Sequence, residues 1–152
     1  MNARRPLRLG LAVASAGLLA GCAHLVVLHD PLTASEHNDL GVVYESSGQH
    51  ALAGREYRKA LQLDPHDTRA RVNLGNIEAA NEHWRAAEKR YRRALRDSST
   101  NYDAMNNLAI ALLRQKRCLD EALTLAERAS AAGGERDSVY QATVAEVKAG
   151  AR

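Results

Sequence analysis

The sequence predicts an all-α chain, a short solenoid of three helix-turn-helix units closed by a C-terminal capping helix, and three observations carry that prediction. Leu40, Gly41, Ala53, Tyr57 and Ala60 recur 34 residues later as Leu74, Gly75, Ala87, Tyr91 and Ala94, and Leu108 and Ala109 take the same step a third time. The chain has no Phe, one Trp and many Ala, so its core has to come from closely approaching helices and not from large aromatic clusters. Helix start and stop signals punctuate the repeats. A fixed period of this kind marks a repeat array, in which one unit cannot bury its apolar face alone and about three must stack.

Each element follows in order. Thr33 and Glu36 form the pattern of a capping box that opens the first helix, and Gly48 supplies the left-handed residue that ends it. Asp64-Pro65 and Ser98-Ser99 mark the breaks between units, which fall at residues 33–67, 68–101 and 102–136. Within the units, Gly41, Ala53, Gly75 and Ala87 are small enough for two antiparallel helices to approach closely, while Tyr57 and Tyr91 fill the space between successive pairs. The second half of the third unit slips by one residue, with Ala122, Ala126 and Ala129 lying 35 positions beyond Ala87, Tyr91 and Ala94. Ala126 in place of an aromatic residue thins the core there. Beyond Gly133-Gly134, residues 138–149 set Tyr140, Val144 and Val147 on one helical face and read as the capping helix.

The succession Leu40, Gly41, Tyr44, then Ala53 and Tyr57, then Ala60 and Pro65 resembles the tetratricopeptide repeat (TPR) family. Glu78 and Leu112 depart from the Tyr44 position, and Ser99 from Pro65. The resemblance implies a concave face lined by the first helix of each pair. Carried over by position, that face takes Ser35, Asn38, Asp39, Val42, Glu45 and Ser46 from the first unit and Arg69, Val72, Asn73, Asn76 and Ala80 from the second. The third supplies Asp103, Asn106, Asn107, Ile110 and Arg114. Asparagine is unfavourable inside helices because its amide competes for backbone hydrogen bonds, so this concentration of it calls for a reason. Asn73 and Asn107, one period apart, resemble the asparagine ladder with which some TPR proteins hold the backbone of an extended peptide, a carboxamide being donor and acceptor together. On that reading both lie on the solvent side of their helices, and replacing both with Ala weakens binding without loss of stability. The alternative is a set of solvated groove residues. A carboxylate clamp of the chaperone-binding kind is not expected, since Asp103 and Asn107 stand where the resemblance would require basic residues.

The N-terminus carries a separate signal. Arg4, Arg5 and Arg8 precede an apolar, small-residue stretch at 9–20, the order of an export signal and shorter than the about 20 apolar residues of a membrane-spanning helix. Leu19-Ala20-Gly21-Cys22 resembles the bacterial lipobox, which implies a signal peptide at 1–21 and a lipid-modified Cys22. Ala23, where an inner-membrane lipoprotein would often carry Asp, favours the outer membrane, with the protein facing the periplasm. The alternative is an ordinary secretory signal with an incidental cysteine. Residues 22–32 then form the lipidated N-terminus and a short linker, in which residues 25–28 are all apolar and either pack on the first helix pair or lie in the lipid interface. The nine residues from Ala23 to Pro31 span about 30 Å at most.

Without the leader, 18 basic residues balance 18 acidic ones, so the basic character of the whole chain belongs to the leader and no nucleic-acid partner is expected. Cys118 is left without a disulfide partner and is expected to be buried as a small apolar residue. The six histidines show no metal-ligand spacing and are expected at the surface or in turns. There is no phosphate loop and no Gly-x-Ser-x-Gly elbow, so no catalytic residue, metal or cofactor is expected. Arg85, Lys89, Arg90, Arg92, Arg93 and Arg96 crowd the second helix of the second unit and read as a solvated outer face, or as a contact for anionic lipid or an acidic partner. Together these readings give a lipid-anchored scaffold or adaptor that binds a partner protein through its concave face, similar to pilus and secretin assembly lipoproteins with TPR units. The alternative is an accessory subunit docking onto an envelope enzyme such as a peptidase or a polysaccharide-synthesis complex.

Overall fold

The computed structural model describes residues 30–150. The leader, Cys22, the apolar run at 25–28, His24 and His29 lie outside the described residues. Seven helices follow one another: α1 (Ala34–Ser46), α2 (His50–Leu63), α3 (Thr68–Ala80), α4 (Trp84–Asp97), α5 (Tyr102–Arg114), α6 (Leu119–Ala131) and α7 (Asp137–Gly150). They form three hairpins, α1 with α2, α3 with α4 and α5 with α6, each stacked on the next, and α7 packs against α5 and α6.

Caps recur with the period of the repeat. Thr33 accepts from the N–H of Glu36, whose carboxylate takes the Thr33 N–H at 2.7 Å. That backbone bond, with the Thr33 hydroxyl, holds the Glu36 carboxyl below its ordinary pKa. Asp67 and Asn101 cap α3 and α5 in the same way at 3.0 and 2.8 Å. Each of these three side chains satisfies an N–H that the first helical turn leaves without a partner. The turn inside each hairpin repeats too, since Gly48, Glu82 and Lys116 all have positive φ, at 72°, 59° and 52°. The one-residue slip of the third unit lies in this turn. Between α5 and α6 the chain has an extra residue, and Cys118 takes a second left-handed conformation at φ 49° as the N-cap of α6. Cys118 is therefore exposed, contrary to the expectation of burial, because it belongs to an inserted turn and not to a helix face.

The small residues act where the repeat places them. A Cβ on Gly41 would stand 2.4 Å from the Tyr57 ring, and one on Gly75 would stand 2.5 Å from the Tyr91 ring. Both tyrosines are fully buried, and their rings fill the space that the missing side chains leave. The main core runs from Tyr91 through Met105, Leu108 and Leu112 to Tyr140 and Val147 of α7, and a smaller one joins Ala53, Tyr57, Leu74 and Ile77. His37 is a correction to the surface assignment of the histidines. It is buried at the start of α1, with Nδ1 2.8 Å from the Glu56 carboxylate of α2, and Lys59 reaches the same carboxylate at 3.4 Å. Arg71 makes a comparable strut within the second pair, donating to Asp97 at the end of α4 and also to the carbonyl of Pro65 in the turn before α3.

Candidate functional site: the face of α1, α3 and α5

The first helices of the three pairs put most of the expected groove residues on an accessible face, and the caps at Thr33, Asp67 and Asn101 start those helices in common register. Asp39, Val42, Arg69, Ala80 and Arg114 are exposed, while Asn73, Asn76, Asp103, Asn107 and Ile110 are half-buried. Between α3, α4 and α5 lies an open cleft of about 380 Å³ lined by Asn76, Ala79, Ala80, Trp84, Tyr91, Asn107 and Ile110. Its wall is mainly apolar. Trp84 thus borders the cleft as well as the core.

Three of the expected groove residues are not on this face. Asn38, Asn106 and Val72 are buried, at 0%, 3% and 7% exposure. Helical spacing alone left the two members of Asn106-Asn107 equivalent candidates, and only the stacking of α5 on its neighbours separated them.

The asparagines form cross-links between units. Asn73 Nδ2 donates to Asn38 Oδ1 at 3.1 Å, tying α3 to α1, and Asn107 Nδ2 donates to Asn76 Oδ1 at 2.9 Å, tying α5 to α3. Tyr91 donates its hydroxyl to the same Asn76 oxygen at 2.9 Å, and Asn106 Nδ2 donates to Asn107 Oδ1 at 3.2 Å. The simple ladder expectation is corrected on this point. Asn73 and Asn107 use their amide donors within the fold, so their replacement touches stability as well as binding. Asn73 Oδ1 and Asn76 Nδ2 have no hydrogen-bond partner among the described residues, which leaves one acceptor and one donor for a ligand backbone.

Charges along this face are matched in pairs. Asp39 takes Arg69 at 3.0 Å, Asp103 takes Arg136 at 2.7 Å, and Arg114 meets Glu146 at 2.9 Å. Tyr140 also donates to Asp103 at 2.8 Å, and burial together with that bond pushes the Tyr140 phenol up to about 12. Burial raises Tyr57 and Tyr91 as well, so all three hydroxyls remain donors at neutral pH. The groove offers shape, amides and an apolar patch with little uncompensated charge.

The basic helix α4 divides into two sets. Arg92 is not a free contact residue. Its guanidinium bridges Glu88 at 2.9 Å and Glu121 of α6 at 2.6 Å, and Gln115 and Arg117 also reach Glu88. The Glu121 hydrogen bond raises the Arg92 guanidinium further above its ordinary value, and burial pushes Glu88 up but is outweighed by the bonds from Arg92 and Gln115 and the Arg117 charge, which leave it below its ordinary value. Arg85, Lys89, Arg93 and Arg96 are exposed. Among the described residues no group of three His, Cys, Asp or Glu side chains is placed to hold a metal ion.

Stacked antiparallel helix pairs with an amide-linked inner face define a helical-repeat array. Residues 72–136 match one tetratricopeptide repeat model and residues 34–67 another, and the chain belongs to the tetratricopeptide repeat family. Among solved structures, it is similar to the TPR2B domain of yeast Sti1 in its pHsp70 complex, at 17% identity and a TM-score of 0.70 over 76% of this chain and 96% of that one. The type III secretion translocator chaperone SycD of Yersinia enterocolitica is similar at 18% identity and a TM-score of 0.68, over 76% of this chain and 83% of that one. YrrB, a TPR protein with an unusual peptide-binding site, is similar at 24% identity and a TM-score of 0.66, over 73% of this chain and 56% of that one. At these identities the likeness is one of fold. Comparison with curated protein sequences finds no match.

Proposed function

We propose that this chain is a lipid-anchored scaffold of the bacterial envelope that holds an extended segment of a partner protein on the face of α1, α3 and α5. The observation that carries the reading is the cleft between α3, α4 and α5, where Trp84 and Ile110 flank the amides of Asn76 and Asn107. Such a site takes an apolar side chain while hydrogen-bonding the backbone beside it. Similar TPR structures support this use of the fold: one is a complex with pHsp70 and another is bound to the HSP90 peptide SRMEEVD. The ligand differs here. Asp39 and Asp103 are already paired with Arg69 and Arg136, so the face has little free charge with which to hold a charged peptide and favours an uncharged one.

The lipobox at Cys22 supports the anchor and Ala23 supports the outer-membrane location facing the periplasm, where an assembly role alongside pilus or secretion components fits a short tether. Two measurements test the two halves. Mass spectrometry of the membrane-extracted protein is expected to show acylated Cys22, and an unmodified Cys22 refutes the anchor. Crosslinking in whole envelopes is expected to join one protein to the wild type and not to an Ile110→Glu variant that melts normally, because the carboxylate would enter the cleft. Equal crosslinking of both refutes the groove.

A further inference from the structure

Helix α4 holds six of the 18 basic residues that follow the leader and only two of the 18 acidic ones, so positive charge is concentrated on one element of an otherwise acidic chain. Arg85, Lys89, Arg93 and Arg96 follow the spacing that aligns side chains along one helix face, a stripe about 17 Å long at 1.5 Å per residue. With Arg92 and Arg117 they border an open depression of about 410 Å³ that shares no residue with the cleft of the inner face. None of the four has an ion-pair partner among the described residues. Glu88, the one acid in the depression, already accepts from Arg92, Gln115 and Arg117. Like charges at this spacing weaken a helix, so the stripe does nothing for the fold that carries it.

We propose that this stripe is a docking surface for the phosphate headgroups of an anionic phospholipid membrane. Guanidinium groups grip phosphate oxygens in a two-pronged fashion, and juxtamembrane basic residues strengthen attachment to anionic bilayers additively. An acidic protein would be the alternative, but a protein interface is built around apolar anchors, and none of the exposed large apolar side chains, Val42, Val43, Leu63, Tyr102 and Val139, is on α4. The choice of a membrane rests on the anchor proposed above, whose linker keeps the repeats within about 30 Å of the bilayer. Docking through α4 would leave the inner face of α1, α3 and α5 available for its partner.

The test uses residues 31–152, a compact unit that contains the whole described core and lacks Cys22, so that stripe and anchor are measured apart. Cosedimentation is expected to show at least tenfold tighter binding to vesicles containing phosphatidylglycerol than to pure phosphatidylcholine, with the difference lost in high salt. Arg85→Gln, Lys89→Gln, Arg93→Gln and Arg96→Gln together are expected to abolish it while the helical circular dichroism signal and the melt persist. Equal binding to both vesicles, or unchanged binding by the variant, overturns the proposal. Tighter binding to soluble polyglutamate or to DNA than to the anionic vesicles at equal charge also overturns it. An unmodified Cys22 in the full chain would remove the anchor and leave the vesicle result standing, so the two failures are distinguishable.

Discussion

The first unit and the two that follow it share one repeat pattern and differ in what covers them. Leu40 and Val43 of α1 occupy the same repeat positions as Leu74 and Ile77 of α3 and Leu108 and Ala111 of α5. In α3 and α5 these four side chains are buried, at 0 to 5% exposure, whereas Val43 is 58% exposed and Leu40 is half-buried. At the other end, α7 covers the third pair with Tyr140, Thr143 and Val147. The positions have equal hydrophobic character and unequal burial. In a linear array the energy of a position depends on the neighbouring unit that meets it, and the first unit has no described helix pair before it.

The widest separation of the two regions is expected from a charge placed at equivalent positions. Ile77→Asp should cost about 3 kcal/mol or more, because a buried carboxylate there has no partner, while Val43→Asp should cost less than about 0.5 kcal/mol. Urea unfolding of both variants measures this, and equal losses would show that the edge of α1 is covered. Next in size is the glycine pair. Gly75→Leu should destabilise by about 1 to 3 kcal/mol or more, since even its Cβ meets the Tyr91 ring. Gly41→Leu meets the Tyr57 ring just as closely but strains only the terminal unit, so its melt should fall less or broaden before the global transition. An unchanged melting temperature for Gly75→Leu would refute the helix packing described here.

Asn73→Ala sharpens the comparison at the boundary of the first two units. It strips Asn38 Oδ1 of its hydrogen bond in a fully buried place, and about 1 to 3 kcal/mol should be lost. A variant as stable as the wild type would return Asn73 to the status of a solvated groove residue. The smallest effect belongs to acid pH. Hydrogen bonds from Arg92 lower Glu121, and they join Gln115 in lowering Glu88, from the ordinary value of 4.5. A carboxyl depressed in this way adds stability above its unfolded pKa and loses it as pH falls through the folded value. The melting temperature should therefore be flat above about pH 5 and fall below pH 4.5. Glu121→Gln should reduce that acid-induced fall by less than about 1 kcal/mol, given that the pair is partly solvated. An unaltered acid slope in the variant would locate the titration elsewhere.

The sequence by itself determined the repeat. Its period, the close contacts at Gly41 and Gly75, the box at Thr33 and the break at Gly133-Gly134 are local or periodic properties, and the helices fall where these signals put them. The caps at Asp67 and Asn101 were legible in the same way, one and two periods beyond Thr33, although the reading of unit boundaries passed over them. Tertiary structure decided the faces. Stacking buried Asn38 and Asn106, left Asn73 and Asn107 at the rim as cross-links, drew His37 inward to Glu56 and turned Arg92 into a strut to Glu121. Helical periodicity gives the direction in which a side chain points on its own helix, but burial and pairing depend on residues some 20 to 35 positions away, in the other helix of the pair or in the next unit, and those meet only when the helices pack on one another.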